Sequence, residues 1–425
     1  MICETSKKFI VKKGNIDTVQ TMKQKKYNIV QYIAYFPPHH WWLEKNAESF
    51  WEHRVKHNFW NVINIVSSIW LENYMLNNDD IILWKKNNPI WFKNKWFTVL
   101  VVPSIEIITN YPIPKFWKRD FWEIITLWLS FKPDIIHTHT RFFIFTFIGG
   151  IIAKLKWIKR LHTEYWSGYV DTWNIFFNVL SKIYDRTIWG FFVFNFCTYR
   201  VSVSNACKNF MKKFIMHQHT IHTIYRNISL WTAYQNINKN ATNELIQFNW
   251  KIIIWYIGRL IKRKNVDNLI KAYYRLTDTI KNQVQLVIVG DGHELKSLKL
   301  MDSDKKVMFT WGVSFEESIM LQSKFDIHVH TSSIWWWLAN TLLQAMELGC
   351  LIIATPYEGA DEVIQNYKNG ILLKDDSVLS LQEWLEEWLQ SLDKKEVRSQ
   401  QNKTIIAKKF NRTTTIQSYY DIIQQ

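Results

Sequence analysis

Two glycine-containing turns in the second half of the chain carry residue types that suit phosphate and nucleotide chemistry. One follows an apolar run and reads Gly258-Arg259-Leu260, with Lys264 shortly after it. Glycine lets the backbone turn tightly, and two cations beside such a turn can hold a diphosphate from two sides. The other turn, Gly290-Asp291-Gly292, can present backbone groups to a planar base or a phosphate. Arg259 and Lys264 are therefore predicted to neutralise a diphosphate, and the 290–292 turn to face a base.

Short apolar runs alternate with helix-like segments on both sides of a polar, Asn-rich stretch. This alternation is typical of parallel sheets covered by helices. Two α/β units joined by a polar linker indicate a two-lobed protein, whose ligands bind where the strands end, in the cleft between the lobes. The predicted divisions are a basic, disordered extension at 1–26, a first domain at 27–230, a linker at 231–248, a second domain at 249–405 and a C-terminal helix at 406–425.

The positive charge of the chain is concentrated in its first half. The 425 residues carry a formal net charge of +16, of which residues 1–228 hold 30 Lys and Arg against 15 Asp and Glu. Residues 229–425 are almost balanced, with 23 against 22. A basic face attracts nucleic acid, anionic lipid or a phosphorylated substrate, although a general solubility charge is the plainer alternative.

Other classes of protein fit the composition poorly. The four cysteines stand apart without CxxC pairs, which argues against a zinc cluster or a disulfide framework and favours a reducing cytoplasm. No apolar run reaches the roughly 18 residues that a membrane-spanning helix needs. Motifs for RNA or DNA binding are also missing, so no nucleic-acid partner is expected.

The second half resembles glycosyltransferase family 4, a family of retaining enzymes with the GT-B fold. The resemblance rests on the two turns above, on Asp326-Ile327-His328-Val329-His330-Thr331-Ser332-Ser333, on Asn340-Thr341-Leu342-Leu343-Gln344-Ala345-Met346-Glu347-Leu348-Gly349, and on Lys368-Asn369-Gly370. It implies two Rossmann-like parallel-sheet domains facing a cleft, with a C-terminal helix that crosses back to the first domain. The same likeness implies that backbone amides of Leu338, Ala339 and Asn340 hold the donor phosphates.

Three segments of the first half resemble the same family. Phe36-Pro37-Pro38-His39-His40-Trp41-Trp42 stands where the family has a Pro-Pro-His-x-Gly-Gly loop near donor and acceptor. Pro133-Asp134-Ile135-Ile136-His137-Thr138-His139 and Leu161-His162-Thr163-Glu164-Tyr165-Trp166-Ser167 resemble two strand-end motifs. The resemblance implies that His162 reaches the donor sugar and that His39, His40, Trp41 and Trp42 line the acceptor side of the cleft.

The paired glutamates that the family uses for the donor sugar and the ribose are absent. Their positions hold Trp336 and Gln344. An amide both donates and accepts hydrogen bonds, so Gln344 can still bind a ribose. An indole cannot do the work of a carboxylate, and Trp336 would fill the pocket.

Tryptophan is abundant where glycine is scarce. The chain has 24 Trp and 12 Gly, whereas average usage would give about 30 Gly. Trp41, Trp42, Trp166, Trp255 and Trp311 all stand at family positions where glycine is common. These observations lead to the hypothesis that many Trp are glycines encoded by UGA, which some bacterial lineages read as Gly. The codons of the gene test it, because UGG at these positions would refute it.

The sequence therefore predicts a retaining glycosyltransferase that uses a UDP- or GDP-sugar as donor substrate, with no cofactor and no metal. Its expected acceptor is a glycan or a lipid-linked phosphorylated molecule of envelope polysaccharide or glycolipid synthesis. The basic first domain suggests peripheral contact with an anionic membrane surface at the inner face. The alternative is a non-catalytic GT-B homologue that binds a nucleotide sugar or glycan without transferring it.

Overall fold

The computed structural model describes most of the chain from the first strand onward. The described residues are 27–32, 60–67, 91–93, 98–108, 111–130, 132–141, 144–169, 175–186, 188–216, 219–226, 228, 252–310, 315–333, 338–357, 359–390 and 395–425.

An eight-stranded sheet forms the first half. Its strands are β1 (Tyr27–Tyr32), β2 (Trp60–Ser67), β3 (Trp91–Lys93), β4 (Thr98–Val102), β7 (Ile135–His139), β8 (Lys159–Glu164), β9 (Tyr199–Ser202) and β10 (His222–Thr223). They follow the order β10-β9-β8-β7-β1-β2-β4-β3, and every neighbouring pair is parallel except β3 with β4. A separate antiparallel pair joins β5 (Ser104–Ile108) to β6 (Tyr111–Pro114).

A six-stranded parallel sheet forms the second half. Its strands are β11 (Ile252–Ile257), β12 (Val284–Val289), β13 (Val307–Thr310), β14 (Ile327–His330), β15 (Leu351–Ala354) and β16 (Ile371–Leu372). They follow the order β13-β12-β11-β14-β15-β16. The predicted fold class, two parallel α/β sheets, is confirmed.

Helices connect the strands of both sheets. They are α1 (Arg119–Ser130), α2 (Ile144–Leu155), α3 (Ile175–Arg186), α4 (Ile188–Asn195), α5 (Asn205–Met211), α6 (Val266–Arg275), α7 (Asp278–Gln283), α8 (Leu295–Met301), α9 (Phe315–Gln322), α10 (Asn340–Leu348), α11 (Val378–Gln390), α12 (Lys395–Lys409) and α13 (Arg412–Gln424). Two short 3-10 turns lie at Lys262–Lys264 and Ala360–Glu362.

The second sheet is buried on both faces, which explains why its strands read as continuous apolar runs. Along β11, Ile254 and Tyr256 belong to the core on one face, and Ile253 and Trp255 belong to the core on the other. The alternation follows from successive side chains of a strand pointing to opposite faces. This packing fixes the ends of β11 and its neighbours, where the candidate site lies.

The last helix contacts the first sheet although it follows the second domain in the chain. On α13, the Tyr419 hydroxyl lies 3.0 Å from Thr163 Oγ1, and the Ile423 carbonyl accepts a hydrogen bond from the Tyr199 hydroxyl at 3.3 Å. The chain thereby ties its C-terminus to β8 and β9.

Trp157 has a backbone conformation that favours glycine. It follows α2 with φ of +57°, and its side chain is 96% exposed. The Ile158 N–H donates to the Ala153 carbonyl and the Trp157 N–H to the Lys154 carbonyl, which is the hydrogen-bond pattern of a helix that ends on a left-handed residue. A side chain in this conformation costs roughly 1–2 kcal/mol, a cost that glycine does not carry.

Two of the tryptophans that the sequence places at glycine positions are buried in this structure. Trp166 is almost fully enclosed. Trp255 lies inside β11, with its ring 4.2 Å from that of His328 and 5.5 Å from that of Phe325 between centroids. The backbone at Trp255 therefore does not require glycine, because strand backbone accepts any side chain. Trp41, Trp42 and Trp311 lie outside the described residues.

Replacing Trp157 with glycine is expected to stabilise the protein. Relief of the left-handed strain exceeds the extra freedom that glycine gives the unfolded chain, so the free energy of unfolding should rise by about 0.5–1 kcal/mol. Urea denaturation of Trp157→Gly against Trp157→Ala measures this, because alanine removes the exposed indole and keeps the strained Cβ. Equal free energies of unfolding for the two variants would contradict the left-handed backbone strain assigned to Trp157.

Candidate functional site

The carboxyl end of β11 lies at the point where the strand order of the second sheet reverses. From β11 the chain runs outward through β12 and β13, and it then returns to the other side of β11 at β14. The connections that follow β11 and β14 therefore lead toward opposite edges of the sheet, which is where an open parallel sheet forms a crevice. In open parallel sheets, ligands bind at such a crevice.

Lys264 joins the two loops that border this crevice. Its Nζ donates to Ser332 Oγ at 3.0 Å, and its carbonyl accepts from the Thr331 hydroxyl. Beside it, the Arg263 carbonyl accepts from both the N–H and the hydroxyl of Ser333, each at 3.0 Å. The loop after β11 and the loop after β14 are thus hydrogen-bonded to each other, and the Lys264 cation is held between them.

The glycine turns predicted to face the nucleotide pack against each other backbone to backbone. A Cβ on Gly290, which has φ of +144°, would lie 1.9 Å from the Gly258 carbonyl oxygen, so no larger residue fits. The Leu260 N–H donates to the Asp291 carbonyl at 2.8 Å and thereby sets the position of the 290–292 turn. Arg259 is partly buried, and its carbonyl accepts from the Tyr256 hydroxyl at 3.1 Å. The two turns thus form one unit beside Lys264.

Helix α10 begins beside the same crevice. Leu338 and Ala339 are buried, and Asn340 is the first residue of the helix. Ala339 occupies the N-cap position, where alanine offers no side-chain acceptor to the first N–H groups. Free N–H groups at the positive end of a helix suit a phosphate, so this geometry is compatible with the predicted role of residues 338–340.

Gln344 lies inside the second domain, on α10. Its side chain is fully buried, and its Oε1 accepts from Gln322 Nε2 of α9 at 3.4 Å. Among the described residues, its own Nε2 has no hydrogen-bond partner. The ribose contact of Gln344 stays a prediction, and in this structure the amide is directed toward α9.

In the first domain, a buried carboxylate orders the loops after β7 and β8. Glu164 Oε1 accepts from the N–H groups of Tyr165 and Trp166 at 3.0 Å, and Oε2 accepts from the Arg141 N–H at 3.1 Å. Burial alone would raise the pKa of Glu164, but the Arg141 guanidinium and His162 hold it below its usual value. Arg141 also forms a buried ion pair with Asp185 at 2.8 Å.

His162 is part of this buried network. Its Nδ1 lies 3.0 Å from Thr138 Oγ1, and its Nε2 lies 3.6 Å from Glu164 Oε2. Burial lowers the pKa of His162 to about 4, so the ring is neutral at neutral pH. The contact of His162 with a donor sugar stays a prediction, but the side chain has no exposed surface here, and its polar contacts are with Thr138 and Glu164.

The two domains meet through Tyr225, Arg226 and Glu362. Glu362 of the second domain accepts from the N–H groups of Asn205 and Ala206, at 2.8 and 2.9 Å, and from the Tyr225 hydroxyl at 2.9 Å. Arg226 Nη2 donates to the Leu338 carbonyl at 2.7 Å. Sequence reasoning assigned no role to Arg226 or Glu362, because contacts between domains leave no local spacing pattern.

Other predicted site residues lie outside the described part of the chain. These are His39, His40, Trp41, Trp42 and Trp336. Within the described residues, no group of three or more His, Cys, Asp or Glu side chains is placed to hold a metal ion. None of the described helices has both the length and the apolar character needed to cross a membrane.

Sequence comparisons identify relatives over nearly the whole chain. The family model described as Glycosyltransferase Family 4 matches residues 91–230, and the model described as Glycosyl transferases group 1 matches residues 239–405. An uncharacterized glycosyltransferase of Methanocaldococcus jannaschii is 32% identical over 412 residues, which cover 94% of this chain and 99% of the relative.

A second relative matches a smaller part of the chain. It is the N-acetylgalactosamine-N,N'-diacetylbacillosaminyl-diphospho-undecaprenol 4-alpha-N-acetylgalactosaminyltransferase of Campylobacter jejuni. It is 29% identical over 161 residues, which cover 37% of this chain and 42% of the relative.

The fold is also found among solved structures. HepE of Anabaena, solved in complex with UDP and glucose, has a TM-score of 0.64 and 13% sequence identity, over 94% of this chain and 99% of that chain. At this identity the likeness concerns the fold alone, and it agrees with the two parallel sheets described above. The chain belongs to the glycosyltransferases of family 4, with the GT-B fold.

Proposed function

We propose that the protein transfers a hexose-type sugar, with retention of configuration, from a UDP- or GDP-sugar to a glycan or lipid-linked acceptor. The observation that carries the proposal is the Lys264 cation held at the crevice of the second sheet, 3.0 Å from Ser332 Oγ. The presence of UDP and glucose in the HepE structure supports a nucleotide-sugar donor.

The proposed chemistry depends on the charge that develops on the leaving diphosphate. When the bond between the sugar and the diphosphate breaks, negative charge builds up on the phosphate oxygens. Lys264 and Arg259, together with the N–H groups at the start of α10, would stabilise that charge. Because Lys264 is already held by Ser332, little reorganisation is needed as the reaction proceeds. In this proposal no cofactor and no metal take part.

Loss of the Lys264 cation is expected to lower sugar transfer strongly. We expect Lys264→Ala to reduce kcat/KM for the active donor by about a hundredfold or more, because a preorganised charge at the leaving group is removed. A panel of UDP- and GDP-sugars, assayed for release of the nucleoside diphosphate, identifies the donor and measures the change.

Lys262→Ala is the matched control for this experiment. Lys262 belongs to the same 3-10 turn, but its side chain is mostly exposed and lies 3.4 Å from Asp267. The control should keep nearly full activity. Equal activity of Lys264→Ala and Lys262→Ala would contradict the role assigned to Lys264.

For the acceptor, we propose a molecule at an anionic membrane surface in envelope polysaccharide or glycolipid assembly. The first half of the chain carries nearly all of the net positive charge. It also exposes apolar side chains at Val179, Ile183, Phe191 and Phe196, and the Nζ of Lys154 lies 3.8 Å from the Phe196 ring centroid. Exposed apolar groups interspersed with cations suit the interface of an anionic bilayer. The diphospho-undecaprenol acceptor in the name of the Campylobacter relative supports this choice.

Binding to vesicles tests the membrane proposal. We expect the protein to sediment with vesicles that contain anionic lipid and to sediment much less with neutral vesicles, since Lys and Arg near the surface each contribute about 1 kcal/mol. Phe191→Ser should weaken the binding, whereas Leu300→Ser, at an exposed apolar position of the second domain, should not. Equal binding to neutral and anionic vesicles would refute the proposal.

The non-catalytic alternative keeps one observation in its favour. Gln344, which replaces a family glutamate, is directed toward Gln322 inside the domain. Under that alternative the protein would bind UDP or GDP, while the donor panel would show neither transfer nor release of nucleoside diphosphate. Measurable transfer by the protein would exclude it.

A further inference from the structure

We propose that Arg226 binds a phosphate group, so that the first domain contributes a cation to the crevice of the second. The inference rests on the proposed function for the identity of the ligand, which is the diphosphate of the donor or the phosphate of a lipid-linked acceptor. Both ligands present the same anionic oxygens, and a guanidinium binds such oxygens through paired N–H groups.

Arg226 is a cation that has no carboxylate partner among the described residues. Among the described residues, its hydrogen bond goes to a neutral acceptor, the Leu338 carbonyl, and its enclosed Nε has no hydrogen-bond partner. Burial lowers the pKa of Arg226 to about 10, and the electrostatic interaction with Tyr165 offsets only part of that effect. A partly buried cation is costly unless an anion accompanies it, and a bound phosphate would supply that anion.

The position of Arg226 places it at the proposed phosphate site. Leu338, its hydrogen-bond partner, is two residues before the start of α10, whose first N–H groups have no side-chain cap. Lys264 holds the other end of the same loop through Ser332. The two cations, one from each domain, therefore contact the two described ends of the connection between β14 and α10. Arg226 as a whole is half-buried and not fully enclosed, which is compatible with contact to a ligand in the cleft.

Neighbouring contacts hold Arg226 in place. Tyr225 binds Glu362 at 2.9 Å through its hydroxyl, and the Tyr225 carbonyl accepts from Thr415 Oγ1 of α13 at 3.0 Å. The side chain of Tyr225 is thus bound to the second domain, and its backbone is bound to the C-terminal helix. Arg226 is consequently presented to Leu338 on a fixed segment, which limits the entropy lost when it binds a ligand.

Calorimetric titration of four variants tests the proposal. Wild type, Arg226→Gln, Arg226→Lys and Arg275→Gln are titrated with UDP, GDP, inorganic pyrophosphate and farnesyl diphosphate. Arg275 is exposed at the end of α6 and serves as the matched control. Thermal unfolding of each variant is recorded beside the titrations, because a purely structural Arg226 would change stability and leave binding unchanged.

We expect Arg226→Gln to weaken binding of at least one diphosphate by about tenfold or more, Arg226→Lys to weaken it less, and Arg275→Gln to bind as wild type does. A loss confined to UDP or GDP assigns the phosphate to the donor, and a loss confined to farnesyl diphosphate assigns it to the acceptor. Unchanged affinity of Arg226→Gln for all four probes would overturn the inference, whatever its stability.

The same titrations separate this inference from the proposed function. If wild-type protein binds neither UDP nor GDP, the proposed donor is wrong. A weaker affinity of Arg226→Gln for pyrophosphate or farnesyl diphosphate would even then support a phosphate contact. Wild-type protein that binds none of the four probes would overturn both.

Discussion

The close approach of the loops at the carboxyl end of β11 is the constraint on which the rest of the site depends. Gly290 leaves room for the Gly258 carbonyl where any Cβ would clash. Lys264 then crosses to Ser332 and joins the loop after β11 to the loop after β14. Because the strand order reverses between these two strands, the joined loops lie where open parallel sheets bind their ligands.

In the first domain, the carboxyl ends of the strands are held by a buried carboxylate. The buried carboxylate of Glu164 binds N–H groups of the loops after β7 and β8, and Arg141 keeps it charged. His162 adds a neutral ring to the network. This network fixes the ends of β7 and β8 from inside the domain. The groups available to a ligand are therefore the backbone and side chains of the loops that follow these strands. Arg226 and Glu362 then fix the two domains against each other.

Much of the fold could be predicted from the sequence, because apolar runs of strand length report burial on both faces of a parallel sheet. The two tight glycine turns were also predictable, since a turn depends on residues close together in the chain, whereas the contact of Lys264 with a diphosphate stays a prediction. The surroundings of His162 and Gln344 were not, because burial depends on distant neighbours such as Thr138 and Gln322. Trp255, predicted at a glycine position, lies within a strand, where the backbone does not require glycine. The backbone of Trp157 does favour glycine, and no local sequence pattern marked that residue.

A crystal structure of the protein with a bound nucleoside diphosphate tests the central claim most directly. We expect density for the diphosphate in the crevice after β11, within hydrogen-bond distance of Lys264 Nζ and of the first N–H groups of α10. A diphosphate bound at the edge of the first sheet, or one in the second domain that contacts neither Lys264 nor the start of α10, would contradict the account.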